Sequence, residues 1–309
     1  MKIIVMGTGG VGGYFGARLA KAGHDVGFVA RGRHLEAIKK NGLKILSELG
    51  DMTIYPAKVS DNPVDFDPAD IILFCVKAYD TEEASKLIKP VVAPKTGVIP
   101  FLNGIGHIKI MQNILGNKSV IGGVAAISAL IEKPGVIRHN STMQMLKFGE
   151  FDNIVTARIK AFQSACKEAG INHSIPENIE SDIWQKVVII CTLAGVNCLT
   201  RLPLGMCRKN PETRNLMKEL ATEVVAVARS ENIFLPENQV EMVMKGLDKL
   251  PEEMKASTLP ALEKGEKLEA SALNGAIDKL GKKNGIDTPM NRAVYATLSP
   301  HEKGKSNDR

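Results

Sequence analysis

MKIIVMGTGGVGGYFGARL, residues 1–19, writes a buried strand, a glycine turn and the start of a helix in one short stretch. Ile3, Ile4, Val5 and Met6 form the unbroken apolar run expected of a parallel strand covered on both faces. Gly7, Gly9 and Gly12 then spell G-x-G-x-x-G. The first glycine permits the tight turn, the second lets a pyrophosphate approach the backbone, and the third lets helix and strand pack closely. Val11, Phe15 and Leu19 recur every four positions, so a helix opens directly after the turn and its free N–H groups would face phosphates. This context, strand before and helix after, makes the motif a dinucleotide site rather than a structural turn.

The next strand bears on which dinucleotide. Asp25 to Ala30 reads as that strand, and an acidic residue at its end would hold the ribose hydroxyls of NAD. The chain places Ala30-Arg31-Gly32-Arg33 there. A guanidinium at Arg31 suits the 2′-phosphate of NADP, which it can clamp with two hydrogen bonds. The plainer alternative is a pair of solvated loop arginines.

Composition bounds the rest. The 309 residues, 44% of them apolar, suggest two ordinary globular domains. No apolar run reaches the roughly 18 residues of a membrane span, and the chain opens on a strand instead of a signal peptide. Five cysteines without a C-x-x-C pair read as reduced thiols of a cytoplasmic protein, with no metal-binding spacing. The net charge of +6 is scattered along the chain, which fits small anions and argues against nucleic acid. The charged end, residues 301–309, reads as a frayed tail.

Further strands are expected at Leu43–Leu46 and Met52–Tyr55, paired with each other, and at Ile71–Lys77, Gly97–Leu102, Val120–Ala129 and Met143–Phe148, with helices at Gly32–Gly42, Thr81–Lys89 and Asn153–Ala169. Beyond Asp182 only helices are expected: Ile183–Leu199, Pro211–Asn232, Pro236–Leu247 and Leu268–Gly285. The pattern predicts an α/β chain, a Rossmann-type doubly wound domain over residues 1–175 followed by an all-α domain over 176–309. The substrate is expected in the crevice between them. Lys77 and Asn103 sit at carboxyl ends of predicted strands, where ligands of open α/β sheets bind. Each has a plainer reading, a solvated lysine and an Asn-Gly turn. Lys186 follows the only tryptophan, Trp184, in an apolar helix. Burial there would lower its pKa toward the range useful for proton transfer, unless the amine snorkels to water.

The ordered set G-x-G-x-x-G, Lys77, Phe101-Leu102-Asn103-Gly104, Trp184-Gln185-Lys186, Lys255-Ala256-Ser257, Glu269 and Asn274-Gly275 resembles the ketopantoate reductase family, the 2-dehydropantoate 2-reductases, from Met1 to about Leu298. The resemblance implies an NADPH-dependent enzyme that reduces ketopantoate to pantoate on the way to pantothenate and coenzyme A. It implies Lys186 as general acid and Glu269 on a substrate hydroxyl. Asn103 would lie beside nicotinamide and substrate, and Ser257 would help hold the substrate carboxylate, while Arg31 and Lys77 would face the cofactor. Without the resemblance, Ser257 reads as a helix N-cap and Glu269 as a solvated helix residue.

The chain departs from the family pattern after Lys186, where asparagines four and eight residues on are frequent. Here they are Ile190 and Ala194. Asn197, eleven residues on, returns to nearly the same helix face about 16 Å along and is the remaining candidate amide for substrate. Gly195 could bend the helix. An apolar site discriminates weakly, so the alternatives are a less polar 2-oxo acid as the small-molecule partner, or a non-catalytic NADPH sensor. The two long helices of the second domain also offer a surface for a homodimer.

Overall fold

The structure is a computed structural model that describes residues 1–305. The chain forms two compact units, one of residues 1–102 with 107–182, the other of residues 103–106 with Ile183 onward. The division falls within a helix, later than the expected 175/176 boundary.

The first unit carries β1 (Lys2–Met6), α1 (Gly10–Lys21), β2 (Asp25–Val29), α2 (Gly32–Asn41), β3 (Leu43–Ser47), β4 (Met52–Ile54), β5 (Lys58–Ser60), β6 (Ile71–Phe74), α3 (Thr81–Ile88), β7 (Gly97–Pro100), α4 (Gly106–Leu115), β8 (Gly122–Lys133), β9 (Val136–Gly149), α5 (Ala157–Glu168) and β10 (Asn172–Ser174). Five of these strands make a parallel sheet in the order β5-β2-β1-β6-β7. The order reverses between β1 and β6, so the glycine turn after β1 lies at the switch point, where such sheets bind ligands.

The remaining strands make a second sheet, of which the sequence reading anticipated only the β3–β4 pairing. Its order is β10-β9-β3-β4, with β8 paired antiparallel to β9 in a long hairpin. Helix α1 packs against strands of both sheets, and its glycines explain how. A Cβ at Gly12 would lie 2.3 Å from the Gly7 carbonyl oxygen and 2.8 Å from Val5 on β1. On the other side, a Cβ at Gly10 would lie 2.1 Å from the Ala129 carbonyl oxygen, and one at Gly13 would lie 2.8 Å from Ile137. Any side chain there would push a sheet away.

His34 on α2 ties the glycine turn to the hairpin. Its Nδ1 accepts from the Gly135 N–H at 3.0 Å, so the proton sits on Nε2, which donates to the Thr8 carbonyl at 2.8 Å. Elsewhere, Arg158 meets Glu150 through two parallel hydrogen bonds of 2.8 and 2.7 Å and also donates to the Thr96 and Lys118 carbonyls. Glu150 accepts a further bond from Thr156, the N-cap of α5. This pair joins the end of β9, the start of α5, the loop before β7 and the connection between α4 and β8.

The second unit is helical: most of α6 (Ile179–Thr200), then α7 (Leu204–Lys209), α8 (Pro211–Ser230), α9 (Gln239–Asp248), α10 (Thr258–Lys264), α11 (Asn274–Asn284) and α12 (Pro289–Leu298). Helices α7 and α12 were not anticipated, α10 was implied only by the reading of Ser257 as a helix N-cap, and the expected helix at Leu268–Gly285 is a 3₁₀ turn at Ala270–Ala272 followed by α11. Helix α6 is apolar on nearly every face because the others surround it. At 22 residues it is long and apolar enough to cross a membrane, contrary to the expectation that no segment is, but 67% of its apolar window is buried inside the protein.

Gly195 does not break α6, which runs on to Thr200. A Cβ there would lie 2.9 Å from Leu220 on α8 and 3.2 Å from Val294 on α12, so the glycine serves close helix packing. Glu302 and Lys305, within the tail expected to fray, are held by hydrogen bonds. Leu268 N–H donates to the Glu302 carbonyl, Ser271 N–H to the Glu302 carboxylate and Lys305 N–H to the Gly265 carbonyl, while residues 306–309 lie outside the described part.

Two outcomes follow. Glu150→Ala strands a guanidinium in a poorly solvated site and should cost about 3–5 kcal/mol in urea unfolding, whereas Glu150→Gln, which keeps shape and some bonding, should cost less; equal, small losses would show that the pair is not structural. Burial lowers the His34 pKa below the usual imidazole value. Its stabilising contribution is therefore complete above the unfolded-state value and is lost as pH falls through the folded one, because the cation offers the Gly135 N–H no acceptor, at about 1–3 kcal/mol. Melting temperature should drop more between pH 7 and pH 5 in the native protein than in His34→Gln; identical drops would remove this role.

Candidate active site

The turn after β1 fits a dinucleotide. An added Cβ at Gly7 would lie 2.9 Å from the Cys75 backbone, which leaves room only for hydrogen, and Gly7 adopts φ +98°. The same test at Gly9 meets nothing within 4 Å. Gly7 and Gly12 thus satisfy internal packing, while Gly9 opens onto free space at the N-terminus of α1, as the approach of a diphosphate requires. Cys75 lies against this turn, and burial pushes its thiol up, so it remains protonated and inert.

Arg31 is the N-cap residue of α2 and is exposed; its Nη2 donates to Glu83 Oε1 at 3.1 Å. Strand β6 ends at Phe74, short of the expected Lys77, which is exposed and precedes a 3₁₀ turn at Ala78–Asp80. Arg31 and Lys77 follow β2 and β6, the two neighbours of β1. His34, whose bond to Thr8 supports the turn from behind, was missed. Its only sequence signal is a histidine one helical turn after Arg31.

In the second unit, Lys186 is half-buried on α6 between the buried Trp184 and Val187. Burial pulls its pKa down to about 8, and the Glu269 carboxylate opposes that fall. The amine and the carboxylate expected to cooperate are therefore within electrostatic reach of each other. Glu269 is half-buried and caps the 3₁₀ turn at Ala270–Ala272. The Asn103–Gly104 turn packs on this same segment: Gly104 has φ +86°, and a Cβ on it would lie 2.2 Å from the Ala272 carbonyl oxygen. The plain turn reading of Asn103-Gly104 thus holds, and half-buried Asn103 is carried to the Glu269 segment by it.

Ser257 precedes α10 but makes no capping bond, and its side chain is exposed. The expected cap is absent, which leaves the hydroxyl as a surface donor. Asn197 requires correction. Its Oδ1 accepts from the Ala256 N–H and its Nδ2 donates to the Leu202 carbonyl, both at 2.8 Å, and the residue is fully buried. Both ends of the amide are bound to backbone, so Asn197 clasps the segment before Ser257 and does not contact substrate.

A buried network fixes the segment that carries Glu269. Asn274 Nδ2 donates to the Cys191 carbonyl on α6 at 3.1 Å and to Asn291 Oδ1 at 2.8 Å. Asn291 in turn donates to Glu223, whose carboxylate also accepts the Met290 and Asn291 N–H groups at the start of α12. Four helices are thereby registered on one another.

The ketopantoate reductase PanE/ApbA family matches residues 3–153, and its C-terminal counterpart, ketopantoate reductase PanE/ApbA C terminal, matches residues 178–302. The chain is 32% identical to the uncharacterized oxidoreductase YkpB of Bacillus subtilis, over 99% of this chain and 100% of that one. It is 31% identical to the 2-dehydropantoate 2-reductase of Archaeoglobus fulgidus, with 98% of each covered. The crystal structure of 2-dehydropantoate 2-reductase from Geobacter metallireducens superposes with a TM-score of 0.90 at 28% identity, covering 97% of this chain and 99% of that one. With both halves matched, the chain belongs to the ketopantoate reductase family of oxidoreductases.

Proposed function

We propose that the protein reduces ketopantoate, 2-dehydropantoate, to pantoate with NADPH, in the cytoplasm, as a step toward pantothenate and coenzyme A. The observation that carries this reading is the half-buried Lys186, poised near pH 8 beside Glu269. The names of the relatives and Arg31 at the end of β2 support the choice of substrate and cofactor.

Reduced nicotinamide supplies a hydride when bound. The chain supplies the rest. Negative charge grows on the C2 carbonyl oxygen as the hydride arrives, and the Lys186 ammonium stabilises that oxygen and then protonates it. Glu269 keeps the amine protonated near neutral pH against the pull of burial, and would accept a hydrogen bond from a substrate hydroxyl. Asn103 can orient nicotinamide or substrate through either end of its amide, and the Ser257 hydroxyl donates one bond to the carboxylate. Arg31 and Lys77 serve the anionic cofactor.

A second reading is favoured by the face of α6 that follows Lys186. Ile190 is half-buried and apolar, and Ala194 is fully buried in the helical core, so neither offers a hydrogen bond to a substrate hydroxyl. That face suits a less polar 2-oxo acid.

Lys186→Ala should lower kcat by about two or more orders of magnitude with NADPH binding retained; an unchanged kcat would reject the acid role, whereas tight NADPH binding with no oxo-acid-dependent oxidation in the native protein would make the cofactor sensor the better account. In the native protein the acid must be protonated, so kcat/KM should be level below about pH 8 and fall above it. Comparison of ketopantoate with 2-oxoisovalerate decides the substrate. Ketopantoate turning over no better than 2-oxoisovalerate would replace the first reading with the second.

A further inference from the structure

Glu83 stands where a Rossmann-type site gains or loses its preference for a phosphorylated cofactor. Strands β2 and β6 pair with β1 from opposite sides. Arg31 follows β2, and Glu83 lies in the first turn of α3, which follows β6. Their contact at 3.1 Å therefore joins the two flanks of β1 at its carboxyl end, where the glycine turn begins. Both side chains are more than half exposed, at 56% and 69%. One Nη2–H···Oε1 line is a weak, displaceable pair and not a two-point clamp.

The two charges ask for different ligands. A 2′-phosphate is a dianion with acceptors only. It gains from the guanidinium and is repelled by a carboxylate within a few ångströms of it. A ribose 2′-hydroxyl has a proton to give, and a carboxylate is its natural acceptor. The end of β2 lacks the acidic residue that usually takes this hydroxyl, but α3 brings one to the same guanidinium from the other side.

Resting on the reading of Arg31 as the 2′-phosphate ligand, we infer that Glu83 is the specificity-setting residue of the cofactor site, opposing NADPH and accepting the 2′-hydroxyl of NADH, so that the Arg31–Glu83 pair gives the site working affinity for both. The pair parts when NADPH binds and Arg31 turns to the phosphate. With NADH, Glu83 exchanges its partner for the ribose.

Calorimetric titration of NADPH and NADH into the native protein, Glu83→Gln and Arg31→Ala, with melting curves to confirm folding, tests this without reference to turnover. Glu83→Gln should tighten NADPH about 3- to 10-fold and weaken NADH about 3-fold, raising the affinity ratio by about 10- to 30-fold. Arg31→Ala should shift the ratio the other way. If Arg31→Ala lowers the NADPH/NADH ratio while Glu83→Gln leaves it unchanged, the role of Glu83 is overturned and the phosphate reading stands. If neither substitution moves the ratio, or if the native protein binds neither nucleotide, both are overturned.

Discussion

Helix α1 is held between two sheets at distances that only hydrogen can fill, and the architecture of the first unit follows from that constraint. On one side Gly12 admits Val5 and the Gly7 carbonyl, and on the other Gly10 and Gly13 admit Ala129 and Ile137. Burial on both faces makes the helix N-terminus a rigid part of the core instead of a surface element. Its free N–H groups are therefore aimed before any anion arrives, and preorganisation of this kind reduces the ordering cost of binding. His34 adds a fixed strut from the hairpin turn to Thr8, so the glycine turn is braced from both sheets.

The second unit solves a different problem, that of keeping an amine in apolar surroundings without losing its proton. Burial favours neutral lysine and the nearby carboxylate favours the cation, and the balance lies near 8 instead of the usual value above 10. That balance depends on where Glu269 sits. The turn bearing Glu269 runs directly into Asn274, whose amide is locked to the Cys191 carbonyl of α6 and, through Asn291, to Glu223. The amine and the carboxylate that tunes it are thus referred to one helix by buried hydrogen bonds, which lose far more than surface contacts when a partner is removed.

Much of this was legible in the order of residues. The first strand, the turn and helix α1 were read correctly because an apolar run, three spaced glycines and a four-residue period all point one way, and such agreement between local signals is what fixes a structure. Lys186 was legible as a lysine in an apolar helix. The second sheet was not, since β3 and β9 are far apart in the chain and pair in parallel, so neither carries a hairpin signal for the other. The glycines at 10 and 13 look like turn composition until the second sheet supplies the neighbour that excludes a side chain. Asn197 was misread because helical spacing gives the direction of a side chain but not the backbone that meets it. Ala256 and Leu202, which take up its amide, follow loops whose course no period encodes.

That same clasp bears on how far the loop it grips depends on its own side chains. Asn197 grips the Ala256 main-chain N–H and the Leu202 main-chain carbonyl, never a side chain, so the path of the loop into Ser257 does not depend on which residues it is built from. Side chains along that loop can be exchanged while both main-chain grips stay in place.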